Sequence, residues 1–200
     1  VNTTELEHQC LYFAKGELAR QKEKDDKKAM EMYMKAIHIT LPDFDGKNPL
    51  RNNLLTFDEI MIINAIAILH AKADDIMTAV QLGMWLKKYM EEKIVDGTMK
   101  IAKYPMILYN LSNWLGRENC HKEALKMADL GIRFCIRYGN LAFFPILVFN
   151  KGGALAELGK IDQAKKYLHQ SVTIFEAMDR PDLIQVATDW CKLHYRIDIQ

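Results

Sequence analysis

The chain has 200 residues, half of them hydrophobic and about a quarter charged, with a formal net charge of +1. Glycine and proline together number fifteen, well under the roughly 12% of average usage, which speaks against an all-β or Gly/Pro-rich disordered chain. Near-neutrality leaves no electrostatic footprint for nucleic acid, and the apolar runs 60–69 and 141–149 are too short to span a membrane.

In chain order, nine helices are expected, near 3–22, 27–40, 57–72, 75–92, 103–117, 121–138, 142–158, 161–178 and 181–196. The first two form a hairpin whose turn is the charged run Lys22–Lys28. The segment LPDFDGKNPLRNNLLT (41–56) holds two prolines and a glycine and reads as the one real linker. Asp74 and Asp75 suit the N-terminus of the fourth helix, because a carboxylate there accepts from backbone N–H groups. Pro105, Pro145 and Pro181 suit first-turn positions, where the missing N–H is not needed; otherwise they kink helices that start earlier. Cys10, Cys120, Cys135 and Cys191 form no CxxC framework and read as buried thiols of a reducing compartment.

An internal repeat is visible. YPMILYNL (104–111) lies above FPILVFNK (144–151) at an offset of forty, with the same order of aromatic, Pro, aliphatics, aromatic and Asn. The same offset carries Asn119 onto Gly159, Ala124 onto Ala164, Ala128 onto Leu168 and Gly131 onto Ser171. Second helices share one face at spacings of four and three: Ala29/Tyr33/Ala36, Ala79/Gly83/Leu86, Ala124/Ala128/Gly131 and Ala164/Leu168/Ser171. Hairpins near 3–40, 57–92, 103–138 and 142–178, closed by a helix at 181–196, therefore imply one all-α domain over residues 1–200. Its architecture would be a right-handed superhelical array of antiparallel hairpins.

KGGALAELGKIDQAKKYLHQSVTIF (151–175) and YNLSNWLGRENCHKEALKMADLGI (109–132) resemble tetratricopeptide repeats. More specifically, LLTFDEIMIINAIAI (54–68), LYNLSNWL (108–115) and FFPILVFNKGGALAELG (143–159) resemble the C-terminal domain of Rgg/PlcR-type peptide-responsive transcription regulators of Gram-positive bacteria. The resemblance implies a cytoplasmic, quorum-sensing, homodimeric regulator that holds a short signalling peptide with concave-face asparagines. It also implies dimerisation through residues 161–195. DNA binding is implied only for a helix-turn-helix domain of a longer parent, of which this chain, opening on Val1, is expected to be a fragment.

Asparagine recurs at one phase of three first helices, as Asn64, Asn110 and Asn150. Asparagine costs a helix roughly 0.5 kcal/mol or more against alanine, so its recurrence asks for a reason. One is a ladder of amides gripping a peptide backbone, since each amide offers an acceptor and two donors. The other is bridging between adjacent helices. Both readings stay open. Asn113 lies one turn beyond Asn110. Tyr109 and Phe149 are apolar walls or plain inter-repeat core. Arg117 could meet a peptide carboxylate or end its helix in solvent, and Lys151 has similar standing. Eleven methionines read first as core fillers, as do Trp85, Trp114 and Trp190.

No catalytic constellation survives inspection. The six histidines form no HExxH motif or ligand pair on one turn. The run Gly153–Lys160 has five residues between its outer glycines and Ile161 where a phosphate loop needs Ser or Thr. Neither enzyme activity, cofactor nor metal is expected. The alternative to a peptide sensor is a tetratricopeptide-like scaffold that binds a folded protein, for example as a response-regulator modulator.

Overall fold

A computed structural model describes residues 3–48, 54–93 and 96–197. Residues 49–53 of the expected linker lie outside it. The chain divides into two compact units, Val1–Lys93 and Ile94–Gln200, and among the described residues of both every regular element is a helix, without strands.

In the first unit, α1 (Thr3–Leu18) runs into a π-helical turn, Ala19–Glu23, and is followed by α2 (Asp26–His38), α3 (Phe57–Lys72) and α4 (Ile76–Glu92). The expected helix 3–22 therefore changes its winding at Ala19. The turn closes on Lys24 in the left-handed region, and the Asp25 side chain caps α2 through Lys28 N. Side chains start the later helices too. Thr56 and Glu59 exchange hydrogen bonds in a capping box on α3, and Asp75 accepts from Thr78 N on α4. Each helix packs on the next, with Tyr33, Ala36, Ile63 and Leu86 among the buried residues. The chain between α2 and α3 is held down by side chains. Phe44 is buried beside Trp85, His38 Nε2 meets the Phe44 carbonyl at 2.8 Å and His70 Nε2 meets that of Gly46 at 3.0 Å. The Tyr89 hydroxyl accepts from the Leu55 N–H and donates to its carbonyl.

The second unit contains α5 (Gly97–Arg117), α6 (His121–Tyr138), α7 (Phe144–Glu157), α8 (Ile161–Ala177) and α9 (Pro181–Tyr195). Consecutive helices pack together, and α5 also packs on α7. The first helices of neighbouring repeats thus lie side by side. The small-residue face expected of second helices is the packing face: Ala124, Ala128, Ala164, Leu168 and Ser171 are all buried. A Cβ on Gly131 would stand 2.7 Å from Leu147 Cδ2, and one on Gly152 2.7 Å from Leu168. Both crossings are closer than a larger residue permits.

The forty-residue offset has a backbone cause at its turn. Asn119 and Gly159 both have positive φ, 59° and 73°, and in each turn the following N–H reaches back five residues, Cys120 to Leu115 and Lys160 to Leu155. This is the Schellman arrangement, which needs a residue that tolerates the left-handed region. Asp74 and Asp179 play the same part ahead of α4 and α9.

The structure corrects three sequence-based expectations. Helix α5 starts at Gly97, six residues before the expected 103, because Asp96 caps it through Met99 N. Pro105 consequently lies inside the helix, while Pro145 and Pro181 are in first turns. A proline there leaves the carbonyl four residues back without its helical donor; the Asn140 side chain supplies one to Ile101 O at 2.7 Å. Cys10 and Cys120 are exposed, and only Cys135 and Cys191 are buried thiols. Trp190 is 46% exposed rather than core, because α9 buries only one narrow face.

Candidate functional site

The second unit contains a cavity of about 530 Å³, within the usual range of ligand sites. Helix α5 lines it with Tyr109, Ser112, Asn113, Gly116 and Arg117, a series at helical spacing. Helix α7 contributes Ile146, Phe149, Asn150, Gly153 and Glu157, and α9 contributes Leu183, Val186, Trp190 and Tyr195. His121 and Ala124 from the start of α6 and Phe175 from α8 also line it. Ile146 to Glu157 is eleven residues of helix, or about 16 Å at 1.5 Å per residue. An extended segment of about five residues spans that distance.

One part of the lining is apolar and aromatic. Tyr109 stacks on Phe143 with ring centroids 6.0 Å apart, and burial pushes its phenol pKa up. Val186 and Trp190 line the cavity from α9, with the Trp190 and His194 ring centroids stacked 3.9 Å apart. The Tyr195 phenol is pushed up mainly by burial; a hydrogen bond with Trp190 opposes the rise and the Glu157 carboxylate adds to it. The other part is polar: Asn113 and Arg117 are exposed on α5, and His121 Nε2 lies 4.0 Å from Glu157 Oε2. His121 Nδ1 is buried with no hydrogen-bond partner.

Of the residues singled out from the sequence, Tyr109, Asn113, Arg117, Phe149 and Asn150 meet in this cavity. Asn150 carries a structural load as well. Its Nδ2 donates to Ser112 Oγ at 2.7 Å and to the Tyr109 carbonyl at 3.3 Å, tying α7 to α5. Both amide protons are thereby engaged between helices. Asn110 is 7% exposed and outside the cavity lining. Asn64 is buried in α3 of the first unit and is no part of this lining. Lys151 points elsewhere, to Asp129 at 2.7 Å and over the Tyr167 ring at 4.1 Å. Burial alone would lower its pKa, but those two partners raise it.

Sequence reasoning missed His121, Glu157, Val186, Trp190 and Tyr195. One signal was available for Trp190, since the forty-residue offset applied to Asn150 lands on it. Nothing in the sequence marked α9 as a cavity wall. The described residues contain no group of three or more potential metal ligands and no helix long and apolar enough to cross a membrane.

A tetratricopeptide-repeat family model matches residues 147–177, which cover most of α7 and all of α8. No characterised protein sequence matches the chain. Among solved structures it is similar to Bacillus thuringiensis PlcR in its apo form, with a TM-score of 0.68 and 17% identity over 93% of this chain and 63% of that one. It is also similar to the same organism's PlcR in complex with the peptide PapR7 and DNA, with a TM-score of 0.58, 17% identity, and coverage of 92% and 69%. The chain thus spans less than two thirds of the apo PlcR chain. At that identity the likeness is one of fold: the chain is an all-α, tetratricopeptide-like array of the kind found in PlcR. The resemblance read from 54–68, 108–115 and 143–159 is met at that level.

Proposed function

We propose that this chain is the peptide-sensing half of a homodimeric transcription regulator, with a short, partly apolar peptide lying in the cavity between α5, α7 and α9. The observation that carries the reading is the composition of that cavity. It sets an aromatic and aliphatic wall against exposed Asn113 and Arg117, along a trough as long as about five extended residues. Backbone amides of an extended peptide need donors and acceptors whatever their side chains, and Asn113 offers both. Tyr109, Phe149, Val186 and Trp190 would take apolar side chains, and Arg117 a carboxylate. Asn150 acts from behind by holding Tyr109 and Ser112 in register. PlcR was crystallised in complex with the peptide PapR7 and DNA, and the likeness of fold supports a peptide here. DNA would be met by a further domain of a longer protein.

The test is affinity selection of a synthetic pool of five- to eight-residue peptides, followed by calorimetry of those retained. Asn113→Ala combined with Arg117→Ala is expected to weaken binding at least tenfold, or about 1.4 kcal/mol, with helicity unchanged. Failure of the pool to yield any binder, or binders indifferent to both substitutions, would sink the assignment and favour a scaffold for a folded protein.

A further inference from the structure

Helix α9 is the least anchored wall of this cavity. Over fifteen residues it buries only Ala187, Thr188 and Cys191, whereas α7 buries eight residues over fourteen. All three are small, and the larger apolar residues of α9 that pack beside them, Leu183, Ile184 and Tyr195, are only partly buried, so less apolar area holds this helix down than holds α7. On its cavity side, Val186 is 64% and Trp190 46% exposed. Helix α9 packs on α8, and toward α7 it presents the Tyr195 hydroxyl, 3.0 Å from where a Gly153 Cβ would stand. Segments with few buried apolar contacts open locally at far lower cost than the whole fold.

We propose that α9 is a separately opening wall of the cavity, latched by the Tyr195 phenol resting on the bare backbone of Gly153. Swinging α9 away uncovers the α7 side of the cavity, and seating it over a ligand buries Val186 and Trp190. A ligand that makes those contacts holds α9 shut by its differential affinity for the closed form. The gating role rests on the reading of the cavity as a peptide site; the opening itself does not.

The molecule carries its own reporters. Cys191 on α9 and Cys135 on α6 are both fully buried, and burial pushes both thiols up to about 11. They match in shielding and acidity, so a difference in their alkylation rates reports a difference in opening. The native chain is treated with N-ethylmaleimide and each cysteine is followed by peptide mass spectrometry, with exposed Cys10 and Cys120 as fast internal standards. Cys191 is expected to react at least tenfold faster than Cys135. Tyr195→Ala should speed Cys191 a further several-fold with Cys135 unchanged. Gly153→Ala, whose methyl group crowds the phenol, should do the same more weakly and serves if the first variant does not fold. Equal rates for the two cysteines in the unaltered chain, or equal acceleration of both in the variants, would overturn the proposal. Failure of the peptide reading would show in the peptide selection and would leave these rates as they are.

Discussion

Both units place a tyrosine ring against a glycine of a neighbouring helix, with opposite results. In the first unit a Cβ on Gly16 would stand 2.5 Å from Tyr33 Cε1, and Tyr33 is fully buried. Its hydroxyl donates to the Glu17 carboxylate and accepts from Arg20 Nε at 3.2 Å, while Arg20 Nη2 pairs with Glu17 at 2.7 Å. Burial, and then the Glu17 bond, push the phenol far above its ordinary pKa. In the second unit Tyr195 covers Gly153 from a half-buried position at the edge of a cavity. A buried polar group is stable when its partners are supplied. The Glu17–Arg20 pair supplies them for Tyr33, and that corner of the fold is closed. Tyr195 finds its hydrogen bond with Trp190 on its own helix and not in a closed corner of the fold, and that helix remains an exposed wall.

The largest expected effect breaks or sustains that contrast. Tyr33→Ala should cost roughly 3–5 kcal/mol, the usual loss for a buried aromatic, while Tyr195→Ala should cost less than half as much. Urea denaturation followed by circular dichroism measures both, and equal losses would erase the distinction. Next come the glycines of the second unit. Gly152→Ala should destabilise by about 1–3 kcal/mol, because the added Cβ would meet Leu168 side-chain atoms at 2.7 Å and its backbone nitrogen at 3.2 Å. Gly116→Ala meets nothing within 4 Å and should stabilise by about 0.5–1 kcal/mol. Melting temperatures that shift the same way in both variants would refute the assignment of close packing to the α7–α8 crossing.

An effect of similar small size concerns the charged pair itself. Burial raises the Glu17 carboxyl, but hydrogen bonds from Arg20, Tyr33 and Gln21 outweigh it and hold the pKa below its ordinary value of 4.5. A carboxyl lowered in the folded state stabilises the fold above its unfolded value, and that contribution is lost as pH falls through the folded one. Glu17→Gln should therefore cost about 1 kcal/mol at neutral pH, with the gap closing as pH drops below 4.5. A gap that is constant or grows toward acid would show that the carboxylate charge contributes nothing.

Much of the fold was legible because helices repeat in sequence as they do in space. The alignment of Asn119 with Gly159 reflects two turns that need positive φ, and the small-residue triplets lie on the faces that pack. Pro105 was ambiguous for a physical reason. Whether a proline starts a helix or sits inside one depends on whether a distant side chain satisfies the orphaned carbonyl, and here Asn140 does so across thirty-nine positions. The asparagine phase is visible in the sequence, but periodicity reports only which residues share a face. It does not say whether an amide on that face is consumed by a neighbouring helix, as Asn150 is by α5, or left at a surface, as Asn113 is.

The amino-acid sequence by itself determined the helices, their pairing into repeats and the left-handed turns between them, because those depend on spacing, capping and backbone tolerance within a few residues. Only the tertiary structure decided where the second unit keeps a cavity. That depends on how far α9 covers α5 and α7, and hence on residues such as Gly153 and Tyr195 that lie forty-two positions apart.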